Sequence, residues 1–416
     1  MRNRLTVGVV VALVTLAQGS ISAAAAQITV MGTGFVDRWQ QVLDAFTAAN
    51  PDIDVSYLKI DGGQTLERTV VMSAGGSPPD VVLQMLGSEY IPLASTGLLY
   101  DITRSVDAAY LAAFYPGPLD FSYYQGRLYG LPTVTGTMGI YYNKDMFSNA
   151  GIGSIPLDYD WTDFLSYAQK TTKADPEGRV TQWGFSLYQY IRDYMNFVWT
   201  NGGALMSPDR TRFTLNSPAA VEALQFVADL ALEHQVSPTR AVYSTTAAWT
   251  LWYEGSAAMY PCGSWCVGSS RERNQFNWDV TTFPTRKQYT VVNEPFISGV
   301  ASGSRKPTEA VRFLKWLAHD EQAQRILAEI GEGIPINKAI ANAYFPDPRT
   351  PQHEEVFLAM LNSGLPRIMP YTPNWRDIND AVNSAMVEVF AGTTPARQAM
   401  DELQPVIDGL LQRPPA

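Results

Sequence analysis

The sequence predicts an α/β protein of two lobes, on three observations. Short apolar strands alternate with amphipathic helices in the first part of the chain, the pattern that builds a mostly parallel sheet covered by helices. About 390 residues remain after an expected leader, more than one hydrophobic core usually supports. No internal repeat, low-complexity tract or long Ser/Gly linker divides them, so short crossings should join the lobes.

The leader is read at 1–26. Arg2 and Arg4 precede an apolar run from Leu5 to Leu16, and small residues end in Ala24, Ala25 and Ala26 before Gln27. This is the three-part layout of a cleavable secretory signal. A membrane anchor needs about 20 apolar residues, and this run breaks at Gln18, Gly19 and Ser20. With no cysteine near the expected cut, no lipid anchor is expected, and the mature protein should diffuse freely outside the cytoplasm.

A strand is expected at 28–31, leading into Gly32, Thr33, Gly34 and Phe35. The next helix carries Trp39, Val42, Leu43 and Phe46 on one face and stops at Asn50-Pro51. Ile53, Val55 and Tyr57 alternate with Asp52, Asp54 and Ser56, as in a strand with one polar face. A helix at 64–74 ends at Gly75 and Gly76, and a further apolar strand covers 80–85. Gly126 marks the turn of an aromatic hairpin at 124–131. Residues 138–142 read as strand and 161–171 as amphipathic helix. Asn216 and Ser217 can cap a helix that has Pro218 in its first turn and runs through Val221, Leu224, Ala228 and Leu232. Helices close the chain at 308–330, broken near Asp320, and at 374–391 and 395–411.

Composition excludes several functions. The formal charge of −10 becomes −12 once Arg2 and Arg4 are removed, and no basic stretch exists, so neither nucleic acid nor an anionic membrane is an expected partner. Cys262 and Cys266 are the two cysteines, and in an oxidising compartment they are expected to pair. No metal is expected, because His234, His319 and His353 are scattered; each has a charged neighbour and reads as solvated helix surface. The sequence holds no G-x-S-x-G elbow, H-E-x-x-H, Walker loop or G-x-G-x-x-G. A glycosidase pair, two carboxylates about 5–10 Å apart, is not excluded by motif. Asp193 and Glu89 are a pair that would have to face one another.

The 10 Trp and 21 Tyr say more. Tyr188, Tyr190, Tyr194, Trp199, Trp265, Tyr371 and Trp375 fall outside long apolar runs, several of them beside polar residues. Singly, each is ordinary packing. Together they suit a wet cleft that offers flat apolar faces with hydrogen-bonding edges, the surface a sugar ring requires.

Several segments, in order, resemble the extracellular solute-binding proteins of ABC sugar importers, the group that includes maltodextrin-binding proteins. They are Phe46 to Pro51 before a strand; Ser77-Pro-Pro-Asp-Val81; Ala94-Ser-Thr-Gly-Leu-Leu99 with Asp101; Gly126-Arg-Leu-Tyr-Gly-Leu-Pro132; and Tyr141-Tyr-Asn-Lys-Asp145 with Ala150-Gly151 and Trp161. Gly202-Gly203, Asn216-Ser-Pro218, Gly255-Ser-Ala-Ala-Met259 with Gly263-Ser-Trp265, and Gly331 to Pro335 follow. The resemblance covers nearly the whole mature chain. It implies a periplasmic binding protein fold, with two α/β lobes, a hinge and ligand between them. Crossings are implied near 133–137, 293–298 and 344–348, with lobe one at 27–136 and 297–345 and lobe two at 137–296 and 346–416.

The resemblance also implies roles. Trp265 and Trp375 match stacking tryptophans, and Tyr190 or Tyr194 a third aromatic. Gly34, Phe35, Gln84, Ser88 and Glu89 match polar contacts of lobe one, and Thr137, Gly333, Tyr371 and Arg376 complete the expected ligand shell. Gln84 stands where those relatives have an aromatic and Thr137 where they have an acid, which argues against a linear maltodextrin. The implied partners are a mono- to oligosaccharide and the membrane permease, with the receptor a monomer that needs no cofactor. Two alternatives remain. A glycerol-phosphate-type polyol would require Arg376, Arg192 or Arg305 in the cleft, and an exported glycan hydrolase would require the facing carboxylates.

Overall fold

The computed structural model describes residues 25–33, 36–345 and 352–413. Gly34, Phe35, the expected leader as far as residue 24 and residues 346–348 of the third expected crossing lie outside the described residues. Strands β1 (Ala26–Gly32), β2 (Ile53–Lys59) and β3 (Val81–Met85) form where alternation and apolar runs place them, with β1 pairing in parallel with both neighbours. Strands β4 (Tyr123–Tyr124) and β5 (Arg127–Leu128) make the expected hairpin. Its two loop residues, Gln125 and Gly126, are both left-handed (φ 48° and 76°), as the tight turn demands.

Strand β6 (Leu131–Asn143) organises the molecule and is buried along its whole length. A small hairpin of β7 (Lys173–Ala174) and β8 (Val180–Gln182) follows it. The second half of β6 pairs antiparallel with β9 (Met259–Gly263) and β10 (Trp278–Thr281). Its first half pairs antiparallel with β11 (Asn293–Val300) and β12 (Ile334–Pro335). One strand therefore serves two groups of strands, and β11 returns beside it, with Asn293 opposite Thr137 and Phe296 opposite Val134.

This traffic corrects the expectation of a mostly parallel sheet. Among the described residues the strand pairs β1–β2 and β1–β3 are parallel and the other strand pairs antiparallel, as an outward strand with a return strand beside it must be. Residues 138–142 of β6 read as strand in the sequence, whereas 133–137 was expected as a crossing with no strand assigned to it. Thr133, Thr135 and Thr137 are fully buried, and their hydroxyls donate to the carbonyls of Phe296, Glu294 and Phe357. Satisfied donors make a polar sequence compatible with a central strand.

The helices follow their apolar faces and caps. Val36–Ala49 covers the parallel strands, and Trp161–Thr171 is capped by the Asp160 carboxylate on two backbone N–H groups. Pro218–Leu232 is capped by Ser217, whereas Asn216 bonds Gln404 instead. The break at Asp320 separates Pro307–His319 from Glu321–Glu329, whose first turn Asp320 caps. Trp375–Ala391 and Ala396–Leu411 pack together against Pro218–Leu232. Among the described residues no helix is long and apolar enough to cross a membrane.

Two histidines depart from the solvated-surface reading. His353 lies in a turn, its Nδ1 2.7 Å from the buried Asp279 carboxylate, and His319 stacks on Tyr110 at 4.6 Å. Both have aromatic or charged partners contributed by residues distant in sequence, which local spacing does not reveal.

Candidate functional site

The carboxyl ends of β1, β2 and β3 share one edge, the edge at which open α/β sheets bind ligands. Those strand ends and the loops and helix starts beyond them place Thr33, Gly62, Gly63, Thr65, Gln84, Leu86 and Glu89 around a cavity of about 310 Å³. Trp265 and Ser269, which follow β9, form the opposite wall, and Phe296, Gly331 and Glu332 complete the lining. The volume is at the small end of ligand pockets, about 300–1,000 Å³. It admits a small solute or one end of a longer one.

Each wall is built by local chemistry. Gln84 is a non-glycine residue in the left-handed region (φ 48°), its N–H held by the Ser298 hydroxyl at 3.0 Å. A non-glycine residue held in this strained region at a cavity wall marks a candidate functional position. Glu89 accepts the Leu86 N–H at 2.9 Å and so caps the helix Gly87–Ser95. Burial pushes the Glu89 carboxyl up, and burial also raises Glu332, against the pull of neighbouring Gln84 and Arg38.

Trp265 sits in the tight turn Ser264–Cys266, spanned by the Cys262–Cys266 disulfide. Its ring lies against backbone: a Cβ at Gly136 would fall 2.6 Å from Trp265 Cε3, and one at Gly263 2.2 Å from Cζ3. The Arg192 guanidinium lies 5.1 Å from the ring centroid, a cation–π distance, and Phe296 meets the ring edge-on at 5.9 Å. At the mouth, Arg38 from the first wall bonds Glu272 from the second at 2.5 Å and also donates to the Ile330 carbonyl. The two walls are therefore bridged.

Behind the cavity is a buried polar cluster. Glu294 of β11 accepts the Tyr371 hydroxyl at 2.8 Å and the Gly87 N–H. Asp193 pairs with Arg192 at 3.7 Å. Burial pushes Glu294 up to about 7 and Asp193 up to about 6, with the Arg192 charge opposing both shifts. The Tyr371 ring covers Gly87, where a Cβ would fall 2.1 Å from it, and meets Trp375 edge-on at 4.7 Å.

Of the expected ligand residues, Gln84, Glu89 and Trp265 line the cavity together. Ser88 is half-buried in the adjoining helix, and Gly333 (φ 142°) packs on the Thr135 carbonyl next to Glu332. Tyr190 is half-buried, 5.9 Å from the Arg192 guanidinium. Tyr371 lies one layer back, on Glu294. Four others are elsewhere. Thr137 is fully buried with its hydroxyl used by Phe357, and Tyr194 is core, packed on Phe390. Trp375 is 2 % exposed beneath Tyr371, and Arg376 is exposed.

Sequence reasoning missed Arg38, Thr65, Glu294, Phe296 and Glu332. Glu332 stood inside the quoted Gly331 to Pro335 segment, and Gly62-Gly63 at a strand's carboxyl end was a usable signal. Arg38 carried none, since it is one charge on an amphipathic helix. Of the three arginines a phosphate ligand would need, only Arg192 is near the cavity; Arg305 and Arg376 are exposed. Glu89 lines the cavity and Asp193 does not, so the carboxylate pair of the hydrolase alternative is not assembled on these two residues.

Comparison with known proteins adds three findings. The family model for bacterial extracellular solute-binding proteins matches residues 32–324. A binding protein of Brucella abortus is 22% identical over 388 residues, covering 90% of each chain, and the maltodextrin-binding protein of Bacillus subtilis is 24% identical over 303 residues, covering 69% of this chain and 68% of that one. An ABC substrate-binding protein of Listeria monocytogenes, solved with cycloalternan, superposes with a TM-score of 0.84 at 24% identity, covering 92% of this chain and 98% of that one. This last similarity shows the two-lobed fold.

Proposed function

The chain belongs to the bacterial extracellular solute-binding proteins, and from that premise we propose that it captures a carbohydrate between its lobes and delivers it to the membrane permease of an ABC importer. The observation that carries this reading is the cavity itself. It brings the Trp265 ring together with hydrogen-bonding groups of Gln84, Glu89 and Glu332, the combination of aromatic wall and polar rim that suits a sugar.

Strands β6 and β11 are the hinge in this account, with the lobes divided at 27–136 and 297–345 against 137–296 and 346–416. A ligand that touches Trp265 on one side and Gln84 and Glu89 on the other is held by both lobes only in the closed form, so its binding favours closure. The protein works as a free periplasmic monomer, released from the leader at 1–26, and turns over no substrate.

A thermal-shift screen over mono-, di- and oligosaccharides, polyols and their phosphates, with product analysis of each mixture, tests the reading. Stabilisation by a neutral sugar without turnover is the expected result. A strict need for phosphate, or formation of product, overturns it.

A further inference from the structure

The helix Val267–Arg273 follows directly on the Ser264–Cys266 turn and carries the second wall to the mouth of the cavity. Three attachments hold it to its own lobe, in the division given above. The Cys262–Cys266 disulfide ties its start to β9, the Ser270 hydroxyl accepts the Trp252 indole N–H at 3.3 Å, and Arg271 pairs with the buried Glu354 carboxylate at 2.7 Å. A segment fixed in this way moves with its lobe, so what it touches on the first wall depends on how the lobes sit.

Two contacts cross the mouth. Arg38 Nη2 bonds Glu272 at 2.5 Å, while Arg38 Nη1 holds the Ile330 carbonyl of its own lobe at 3.3 Å. One helical turn before Glu272, Gly268 meets Gly331, the left-handed residue (φ 77°) that ends the helix Glu321–Glu329. A Cβ on Gly331 would fall 3.0 Å from Gly268 Cα, and one on Gly268 3.4 Å from Gly331 Cα. Glycine at both positions permits this close approach of two backbones. Glu272 and Gly268 do not line the cavity, so neither contact needs a ligand to form.

We propose that Arg38 and Glu272, with the Gly268–Gly331 contact beside them, form a salt-sensitive latch that favours closure of the cleft without ligand. This rests on the two-lobed receptor reading above and adds to it a control by ionic strength. The Arg38 side chain is 19% exposed and that of Glu272 61%, so water and ions reach the acidic partner and screen the pair. On release, Arg38 keeps a carboxylate on its own lobe, Glu332, whose charged form it already favours. A pair of this exposure shifts an equilibrium by about threefold. Both forms therefore stay populated, and ligand supplies the rest of closure. Because ligand is held by both lobes only in the closed form, affinity follows the closed share, and salt weakens the capture even of an uncharged solute.

The test uses the whole protein without added solute, spin-labelled at Glu67→Cys and Glu254→Cys, exposed positions on the two lobes. Pulsed electron–electron double resonance reads the label distances at about 0.01 M and about 1 M salt, where charges are screened over about 30 Å and about 3 Å. The expected result is two distances, the shorter losing about threefold against the longer at high salt. Glu272→Gln should show the high-salt ratio at both concentrations, and the exchanged pair, Arg38→Glu with Glu272→Arg, should restore the salt-sensitive ratio. Gly268→Leu, which fills the backbone contact, should leave the longer distance alone. If neither salt nor Glu272→Gln changes the ratio, the latch falls and the receptor reading stands. If Glu272→Gln acts and the exchanged pair restores nothing, the ion pair is not the cause and the latch falls again. If every sample, Gly268→Leu included, gives one and the same distance, the hinge falls with the latch.

Discussion

Replacing Glu294 with Gln should remove much of the pH dependence of the protein's stability. Glu294 is 1 % exposed, on β11, facing the Tyr371 hydroxyl, the Gly87 N–H, the Arg192 guanidinium and the Glu89 carboxylate. Burial raises its carboxyl from 4.5 to about 7. Between those values the folded protein keeps a proton that the unfolded chain has released, so stability is full below 4.5 and falls as pH rises to about 7. A shift of that size, at about 1.4 kcal/mol per unit, is worth about 3 kcal/mol. Glu294→Gln keeps an acceptor for Tyr371 and Gly87 and never ionises.

Urea unfolding of both proteins at about pH 4 and about pH 8 measures the difference. The variant should match the native protein at the lower pH and exceed it by about 3 kcal/mol at the higher one. Asp193, raised by burial to about 6, acts in the same direction in both proteins, so the difference between the two curves isolates Glu294. Parallel curves over the whole range would refute the reasoning.

Three other outcomes are expected. Trp265→Ala should weaken sugar binding more than about tenfold by calorimetry, about 1.4 kcal/mol; an unchanged affinity would return the ring to packing alone. Gly87→Ala places a Cβ 2.1 Å from the Tyr371 ring and 2.8 Å from Phe121, so it should cost about 1–3 kcal/mol by overpacking despite the better helix propensity of alanine. A midpoint of unfolding at or above the native value would contradict that contact. Cys262→Ser with Cys266→Ser opens a short ring and should lower stability by about 2 kcal/mol; thiol titration of the unfolded native protein should find no free thiol until reductant is added.

The parts of the fold that were legible were those ruled by local periodicity. The helix 161–171 and the broken helix around Asp320 carried their apolar faces and caps in sequence, and the hairpin at Gly126 carried its turn. The first half of β6 was not legible, because buried threonines become strand only when carbonyls of β11 and of Phe357 accept their hydroxyls. Within the site, Trp265 was legible through its Gly263-Ser-Trp setting. Tyr194 and Trp375 were not separable from core residues, since both are aromatics on amphipathic helices whose burial is decided by neighbours far along the chain. The ion pair of Arg38 with Glu272 joins residues 234 apart and leaves no local trace.

The central claim is that ligand in the cavity holds the two walls together. Small-angle scattering, recorded with and without the sugar that gives the largest thermal shift, tests it most directly. The expected result is a smaller radius of gyration with ligand, and a compaction that Trp265→Ala removes at the same sugar concentration. Saturating binding with an unchanged radius of gyration would contradict it.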